Sequence, residues 1–453
     1  MNNKLQVVQT AKNSADRMSI KDELYLSPVT NRENIVIRID ESMEYQAMEG
    51  FGGAFTEAAA DTFYKMSEEK RKQILDAYFC PEKGINYSLC RTHINSCDFS
   101  LGNYSYDEVE GDAELEHFSI ERDRKLLIPM IKEAIKVKGS DIKFLASPWS
   151  PPYWMKTNGE MNHGGKLKAE YRRSWAKYFV KYIRAYASEG IGIWAVSVQN
   201  EPDAVQTWDS CIYSHEEERD FVREQLGPVL SQEGLENIKI VVWDHNTDQV
   251  YDRAKVILED RECAKYVWGV GFHWYSGDQF DNLDKTHRAF PDKKLLFTEG
   301  CQENGVHPDS WAVGERYGHN MINDFNNWAV GWIDWNLVLN QVGGPNHVGN
   351  YCDAPIIANT DTDEIYFENS YYYIGHFSKY VEPGAVRIGC ICDPGILGGK
   401  LEATAFKNPD GTVIAVVMNS GDSDADYSLC IGKLAAAVKA PAHSIATFRY
   451  FKG

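Results

Sequence analysis

Short apolar, β-branched runs, each followed by a polar or aromatic cluster and then a helical stretch, recur eight times along the chain. They begin at Tyr45 (YQAMEGFGGAFT), Ile85 (INYSLCRTHI), Ile142 (IKFLASPWS), Ile193 (IWAVSVQNEP), Ile238 (IKIVVWDHN), Tyr266 (YVWGVGFHWY), Lys294 (KLLFTEG) and Val330 (VGWIDWNL). Between them the period changes from two to 3.6. Tyr171, Trp175, Tyr178, Phe179, Tyr182, Ile183 and Tyr186 fall on one helical face, and Gly190 is placed to stop that helix at C′. Another helix is predicted from Ser67, an N-cap followed by Glu68 and Glu69 where the helix dipole favours acids.

Strands that alternate with helices form a parallel sheet, and eight is the number that closes a TIM barrel. The polar clusters sit at the C-terminal ends of the runs, the rim on which such barrels build their sites. The alternative is an open doubly wound sheet, but FGGAF lacks both the GxGxxG spacing and a following Lys. From about Tyr371 the texture changes to short strands. LEATAFKNPDGTVIAVVMNS reads as a hairpin turning at Asn408-Pro409-Asp410-Gly411, and YSLCIG and HSIATFRYF add further strands. The first 45 residues carry strand-like pieces as well, including NIVIRID from Asn34. The expected fold class is therefore α/β: a (β/α)₈ catalytic barrel over 46–370, and a β-sandwich built from 371–453 and joined by N-terminal strands of 1–45.

Composition narrows the partners. A hydrophobic fraction of 43% and a charged fraction of 25% are ordinary for a globular chain of 453 residues. A net charge of -19 repels phosphate backbones and anionic lipid surfaces, which disfavours nucleic acid and electrostatic membrane docking and suits a neutral substrate. Twelve Trp and 25 Tyr suit a site that stacks flat apolar faces such as sugar rings, although a large core uses the same residues. The ten cysteines form no CxxC pair and read as reduced thiols, with no structural metal expected. No run of about 18 apolar residues suggests membrane insertion. The opening 28 residues hold no apolar core of signal-peptide length, so the expectation is a cytoplasmic protein, or a secreted one from which a signal has been removed.

Two acids stand at rim positions. Glu201 closes the fourth run in Val198-Gln199-Asn200-Glu201-Pro202, and Glu299 closes the seventh in Phe297-Thr298-Glu299-Gly300. Strands four and seven lie nearly opposite on an eight-strand ring, so the carboxylates can face each other across a cleft. Each alone is explicable as turn chemistry beside Pro or Gly; together they fit a carboxylate pair that cuts glycosidic bonds with retention. Asp98, Asp334 and Asp353 compete for these roles. Asp98 follows the second strand, Asp334 reads as structural between Trp332 and Trp335, and Asp353 fits either use. His273 has no second His at metal-binding spacing and fits a core position. Tyr275 is placed to hydrogen-bond the nucleophile and hold its pKa down. Trp149, Trp154, Trp175 and Trp335 are candidate pocket walls, with a core reading competing for Trp175.

The chain closely resembles glycoside hydrolase family 30 in its glucosylceramidase (acid β-glucosidase) branch. The resemblance runs from about Met48 to Gly389 through EGFGGAFT, SCDFS, LASPWSPPYWMKTNG, WAKYFVKYIRAYA, NEP, HWY, GWIDWNLVLN, GGPN, DAPII and YIGHFSKYVEPGAVRIG. It implies a TIM barrel with a β-sandwich, Glu201 as acid/base and Glu299 as nucleophile. It also implies contacts to a terminal glucose from Asp98, Trp149, Trp175, Asn200, Trp335 and Asn350, with Arg91 organising the pocket floor. His273 and Tyr275 complete the expected substrate-binding set. The implied activity is that of a retaining exo-β-glucosidase on a β-glucoside, oligosaccharide or glucosylceramide, and so belongs to carbohydrate and sphingolipid metabolism. A β-1,6-glucanase or β-xylosidase is the alternative within the family, and a non-catalytic carbohydrate-binding protein the alternative outside it. No cofactor is expected, since the carboxylate pair suffices. RTHINS before the SCDFS motif, His347 after GGPN and the loop QNEPDAVQTWDSCIY depart from the animal enzymes near the rim, which bears on the aglycone.

Overall fold

The computed structural model describes residues 3–28, 36–392 and 400–451. Eight parallel strands close into a barrel in sequence order: β1 (Gly50–Phe55), β2 (Leu89–Ile94), β3 (Lys143–Pro148), β4 (Ile193–Ser197), β5 (Lys239–Asn246), β6 (Val267–His273), β7 (Lys294–Glu299) and β8 (Ala329–Asn336). Each lies within one of the eight expected runs or, for β8, starts one residue before it. The first run is divided, however: Tyr45–Ala47 ends a different strand, Val36–Ala47, and the chain enters the barrel only at Gly50. The helix Arg172–Ser188 buries Trp175, Tyr178, Phe179, Tyr182, Ile183 and Tyr186, and Gly190 follows it at φ +80° in the left-handed region. Ser67 caps the helix Glu68–Phe79, its side chain accepting from Lys70 N–H.

Period-two alternation layers the barrel interior. Leu89, Leu145, Ala195, Val241 and Leu296 form an apolar cluster within the ring of strands. Two residues further along β2, β3 and β4, the same alternation puts Arg91, Ser147 and Ser197 one layer closer to the C-terminal rim, where they hydrogen-bond one another. A greasy plug thus supports a polar floor.

The segment around 371, where strands were expected to begin, is helical. Asn369–Ser378 is a helix buried almost throughout, and it packs on Trp311–Asn326. A helix buried on all sides is a core helix, and its Tyr and Phe run imitates a strand in sequence. Gly314 and Gly318 make the contact possible, because a Cβ at either would come within 2.6 and 2.8 Å of the Tyr373 ring. The sandwich strands then follow. Leu401–Lys407 and Val413–Asn419 form the expected hairpin, with Gly411 at φ +86° in its turn. The N-terminal strands join as expected: Lys4–Ala11 pairs with Ser444–Tyr450, and Val36–Ala47 pairs with Val386–Cys392 and Ala425–Ile431. Asn34 and Ile35, which open the anticipated NIVIRID strand, lie outside the described residues. Val413–Asn419 is buried on both faces: Val413, Ala415 and Val417 point into the sandwich core, while Ile414, Val416 and Met418 belong to the barrel's outer core.

Candidate active site

The polar floor is organised by Arg91, fully buried on β2. Its Nε donates to Ser147 Oγ at 3.0 Å and its Nη1 to Glu299 Oε2 at 2.6 Å. Its Nη2 donates to Asn200 Oδ1 and to Asp244 Oδ2, both at 2.8 Å. A guanidinium can be buried here only because its planar fork reaches two carboxylates at once. Asp244 attains its position through a local irregularity. The β5–β6 register shifts between Trp243 and His245, and Trp243 and Asp244 take φ +70° and +56°. Strict alternation from Val241 would point residue 243 inward; the bulge turns Asp244 inward instead. Asp244 was not singled out in the sequence, where WDHN reads only as the end of a run. The signal available was the buried charge of Arg91, which requires an acid.

Glu201 lies just beyond β4, in the left-handed region at φ +48°, with its N–H donating to Asp244 O at 3.0 Å. Backbone held there by its surroundings is characteristic of functional positions. Glu299 ends β7. One side-chain oxygen of each glutamate and a ring nitrogen of His273 all lie within 4.8 Å of one another. Tyr275 donates to Glu299 Oε1 at 3.1 Å. His273 is fully buried beneath the pair, its Nδ1 3.2 Å from Glu201 Oε1 and its Nε2 3.1 Å from Asp244 Oδ1. Both ring nitrogens of His273 therefore face carboxylates.

Ionisation follows from these contacts. Burial alone would discharge His273, but the carboxylates of Glu299, Asp244 and Glu201 outweigh it and raise the imidazole to about 9. Burial likewise opposes ionisation of Glu201, yet the hydrogen bond from His273 and the nearby His245, His273 and Arg91 hold it at about 2. Glu299 is raised above its ordinary value, first by burial and then by the neighbouring Glu201 and Asp244 carboxylates, against the pull of His273 and Arg91. Asp98 is pushed up to about 8 by burial and by the charge of Glu299, with Asn350 opposing.

Above the floor opens a cavity of about 300 Å³. Asp98, Trp149, Asn200, Glu201, Tyr275, Glu299, Trp335 and Asn350, all anticipated from the sequence, line it together. Trp149 and Trp335 stack at 5.1 Å between centroids, and the Arg91 guanidinium lies 4.8 Å from the Trp149 ring. Asn346 and Asn350 donate to Asp98 Oδ2 at 3.2 and 3.1 Å. Arg91 and His273 sit behind this lining. Trp175 does not reach it: the ring is fully buried in the outer core against Tyr178 and Phe179, so the apolar helix face, and not a sugar, accounts for it. Trp154 is likewise buried elsewhere, donating to Asp107 O. Asp334 is bonded by Tyr317 and Asp353 by the backbone of Ala354 and His307, both away from the cavity. Around the mouth stand Gln206, Trp208, His245, Asn246, Glu303 and Tyr351, rim residues with no periodic signature in the sequence.

Paired acids at the C-terminal rim of a (β/α)₈ barrel, under an aromatic-walled pocket, are the architecture of a glycoside hydrolase. Residues 48–381 match the Glycosyl hydrolase family 30 TIM-barrel domain and 384–448 the Glycosyl hydrolase family 30 beta sandwich domain, and the chain belongs to that family. It is 36% identical over 412 residues to the lysosomal acid glucosylceramidase of Mus musculus, covering 87% of this chain and 79% of the mouse protein. The crystal structure of SrfJ from Salmonella typhimurium superposes with a TM-score of 0.95 at 38% identity, over 99% of this chain and 100% of that one. The endo-β1,6-glucanase BT3312 superposes at 0.89 with 30% identity, over 99% of each chain. The protein is a glycoside hydrolase whose relatives include both glucosylceramidases and endo-1,6-glucanases.

Proposed function

We propose that the chain is a retaining, exo-acting β-glucosidase of the glucosylceramidase type, with Glu299 as nucleophile and Glu201 as acid/base. The observation that carries this reading is the approach of the two carboxylates to within 4.8 Å at their nearer oxygens. Retaining enzymes hold their carboxyl groups about 5–5.5 Å apart, whereas an inverting pair stands at about 6.5–9.5 Å to admit water. Glu299 attacks the anomeric carbon while Glu201 protonates the departing oxygen; Glu201 then takes a proton from the water that releases the sugar. Arg91 and Tyr275 orient the Glu299 carboxylate. Trp149 and Trp335 wall the ring, Asp98 and Asn350 offer polar groups to its far hydroxyls, and Asn200, tied to Arg91, meets the 2-hydroxyl. A cavity of about 300 Å³ suits a single terminal sugar.

The likeness to an endo-β1,6-glucanase supports a second reading of the aglycone. Gln206, Asn246 and Glu303 at the mouth offer hydrogen bonds to a second sugar, and Trp208 and Tyr351 offer faces to stack it. One assay distinguishes the readings: hydrolysis of an aryl β-glucoside, an aryl β-xyloside, glucosylceramide and a β-1,6-glucan, with product anomers followed by NMR. β-Glucose released first from the aryl glucoside and the lipid is the expected result. Oligosaccharides from the glucan with the lipid untouched would replace the substrate but keep the mechanism. An α-anomer as first product would overturn the double displacement.

A further inference from the structure

A double displacement needs one proton in place before the aglycone can leave, and a hydrogen-bond count at the rim locates it. Donors surround Asp244: Arg91 Nη2 at 2.8 Å, Ser147 Oγ at 3.1 Å and Ser197 Oγ at 2.6 Å on Oδ2, and His273 Nε2 at 3.1 Å on Oδ1. With a guanidinium in contact and both oxygens engaged, this carboxyl is ionised, so the ring nitrogen facing it carries a hydrogen. The other ring nitrogen, Nδ1, lies 3.2 Å from Glu201 Oε1. A carboxylate and a bare imidazole nitrogen are both acceptors, so a buried contact of this length holds one further hydrogen between them.

We infer that this hydrogen is the acid's proton, stored on Nδ1 of His273 in the free enzyme and passed to Glu201 as the glycosidic oxygen engages. The inference rests on the acid/base role proposed for Glu201. The groups facing His273 support it from every side. Glu201, Asp244 and Glu299 attract the imidazolium from the ends of β4, β5 and β7, while Arg91 on β2 and Tyr275 just beyond the end of β6 are held to Glu299. His245, another imidazole near Glu201, has its Nε2 3.9 Å from Oε1, beyond hydrogen-bond reach, and burial lowers its pKa, so the hydrogen bonded to Glu201 is the one shared with His273. Free Glu201 is an ordinary ionised carboxylate, and its acidity is borrowed from the ring beneath it.

In the first step the Nδ1–H bond breaks and an O–H bond forms on Glu201. As the C–O bond to the aglycone breaks, its electron pair goes to the departing oxygen, which takes that proton. Glu201 is again a carboxylate and His273 is neutral. In the second step Glu201 removes a proton from the attacking water and returns it to Nδ1, restoring the starting state. His273 never touches the sugar and acts only through Glu201.

The test compares His273→Gln and Glu201→Ala with wild type on two glucosides, 2,4-dinitrophenyl β-glucoside, which leaves unaided, and methyl β-glucoside, which needs the acid. Stored on His273, the proton makes the His273→Gln loss in kcat/KM at least about tenfold larger for the methyl glucoside. The alkaline limb of kcat/KM also moves to lower pH by about one unit or more, because the proton must then sit on Glu201 alone. Equal losses on both substrates with an unmoved limb would reduce His273 to packing and overturn the inference. If Glu201→Ala itself fails to discriminate the glucosides, the acid/base reading falls; if it discriminates and His273→Gln does not, only the proton's location falls. Should His273→Gln not fold, ¹⁵N-histidine NMR of the wild type decides. The expected signal is an exchange-protected, doubly protonated imidazole at about pH 7 that shifts in Glu201→Gln; its absence overturns the inference.

Discussion

Glu299 sits between two donors with different leverage. Arg91 cannot lose its charge, whereas the Tyr275 hydroxyl can be deleted with little change of shape. Hydrogen bonds to a carboxylate favour its ionised form, so Tyr275→Phe raises further a group that burial already holds above its ordinary 4.5. The sign follows: the nucleophile works ionised, so activity is lost as pH falls through its pKa, and the acid limb of kcat/KM moves to higher pH in Tyr275→Phe. A hydrogen bond to a charged group contributes about 1.5–3 kcal/mol, so kcat/KM at the plateau falls by roughly tenfold to a hundredfold. A pH–rate profile on an aryl β-glucoside checks both effects, and an acid limb that stays in place would remove Tyr275 from the control of Glu299. Glu201 and Glu299 are legible in sequence because each terminates an apolar run. Asp244 is not, because the bulge that aims it inward breaks the alternation by which facing is read. Trp175 misleads for the opposite reason: a helix face and a pocket wall draw on the same residue type.

At the scale of elements, the glycine-rich β1 was the one run that invited a phosphate-loop reading, and its glycines prove to serve strand packing. A Cβ on Gly52 would lie 1.7 Å from the carbonyl oxygen of Leu89, a backbone atom of β2 that cannot rotate away. Gly52→Ala must therefore separate β1 from β2. Overpacking of this kind destabilises by about 1–3 kcal/mol and by more where backbone is the obstacle. Because Arg91 follows Leu89 by two residues on β2, the same displacement reaches Glu299. The expected outcome is a lower urea midpoint together with a lower kcat in the fraction that folds; a midpoint equal to wild type would mean that the barrel yields at no cost. The periods of two and 3.6 made the barrel strands readable. They failed where one apolar run serves two domains, as at Tyr45–Gly50, and where a helix is buried on all sides, as at Asn369–Ser378. Periodicity reports contrast between faces: the helix has none, and at Tyr45–Gly50 the alternation runs on unbroken from one domain into the next, so it marks no boundary.

For the whole molecule, the count of eight runs was enough to anticipate closure, and the joining of both termini followed from economy of strands. How the barrel and sandwich hold each other was hidden, because it depends on residues far apart in sequence. Val413–Asn419 contributes a face to each core, so neither core is complete alone. A polar latch lies beside this shared layer. His319, on the helix Trp311–Asn326, places Nδ1 2.8 Å from Glu402 Oε1 on the sandwich strand Leu401–Lys407 and Nε2 3.1 Å from Asp278 Oδ2 after β6. Asn323 donates to the same Glu402 oxygen at 2.8 Å. The hydrogen bond with Glu402 raises His319 to about 9, against burial and with the charges of Glu402 and Asp278. A histidine whose pKa is raised on folding stabilises the native state fully below its unfolded value of 6.5, and that contribution disappears as pH rises through about 9. In urea unfolding, wild type should therefore exceed His319→Gln by the widest margin at about pH 6, with the margin closing by about pH 10. A margin independent of pH would assign His319 to packing alone. A closing margin would mean that the barrel and the sandwich are joined by charge as well as by the strand they share.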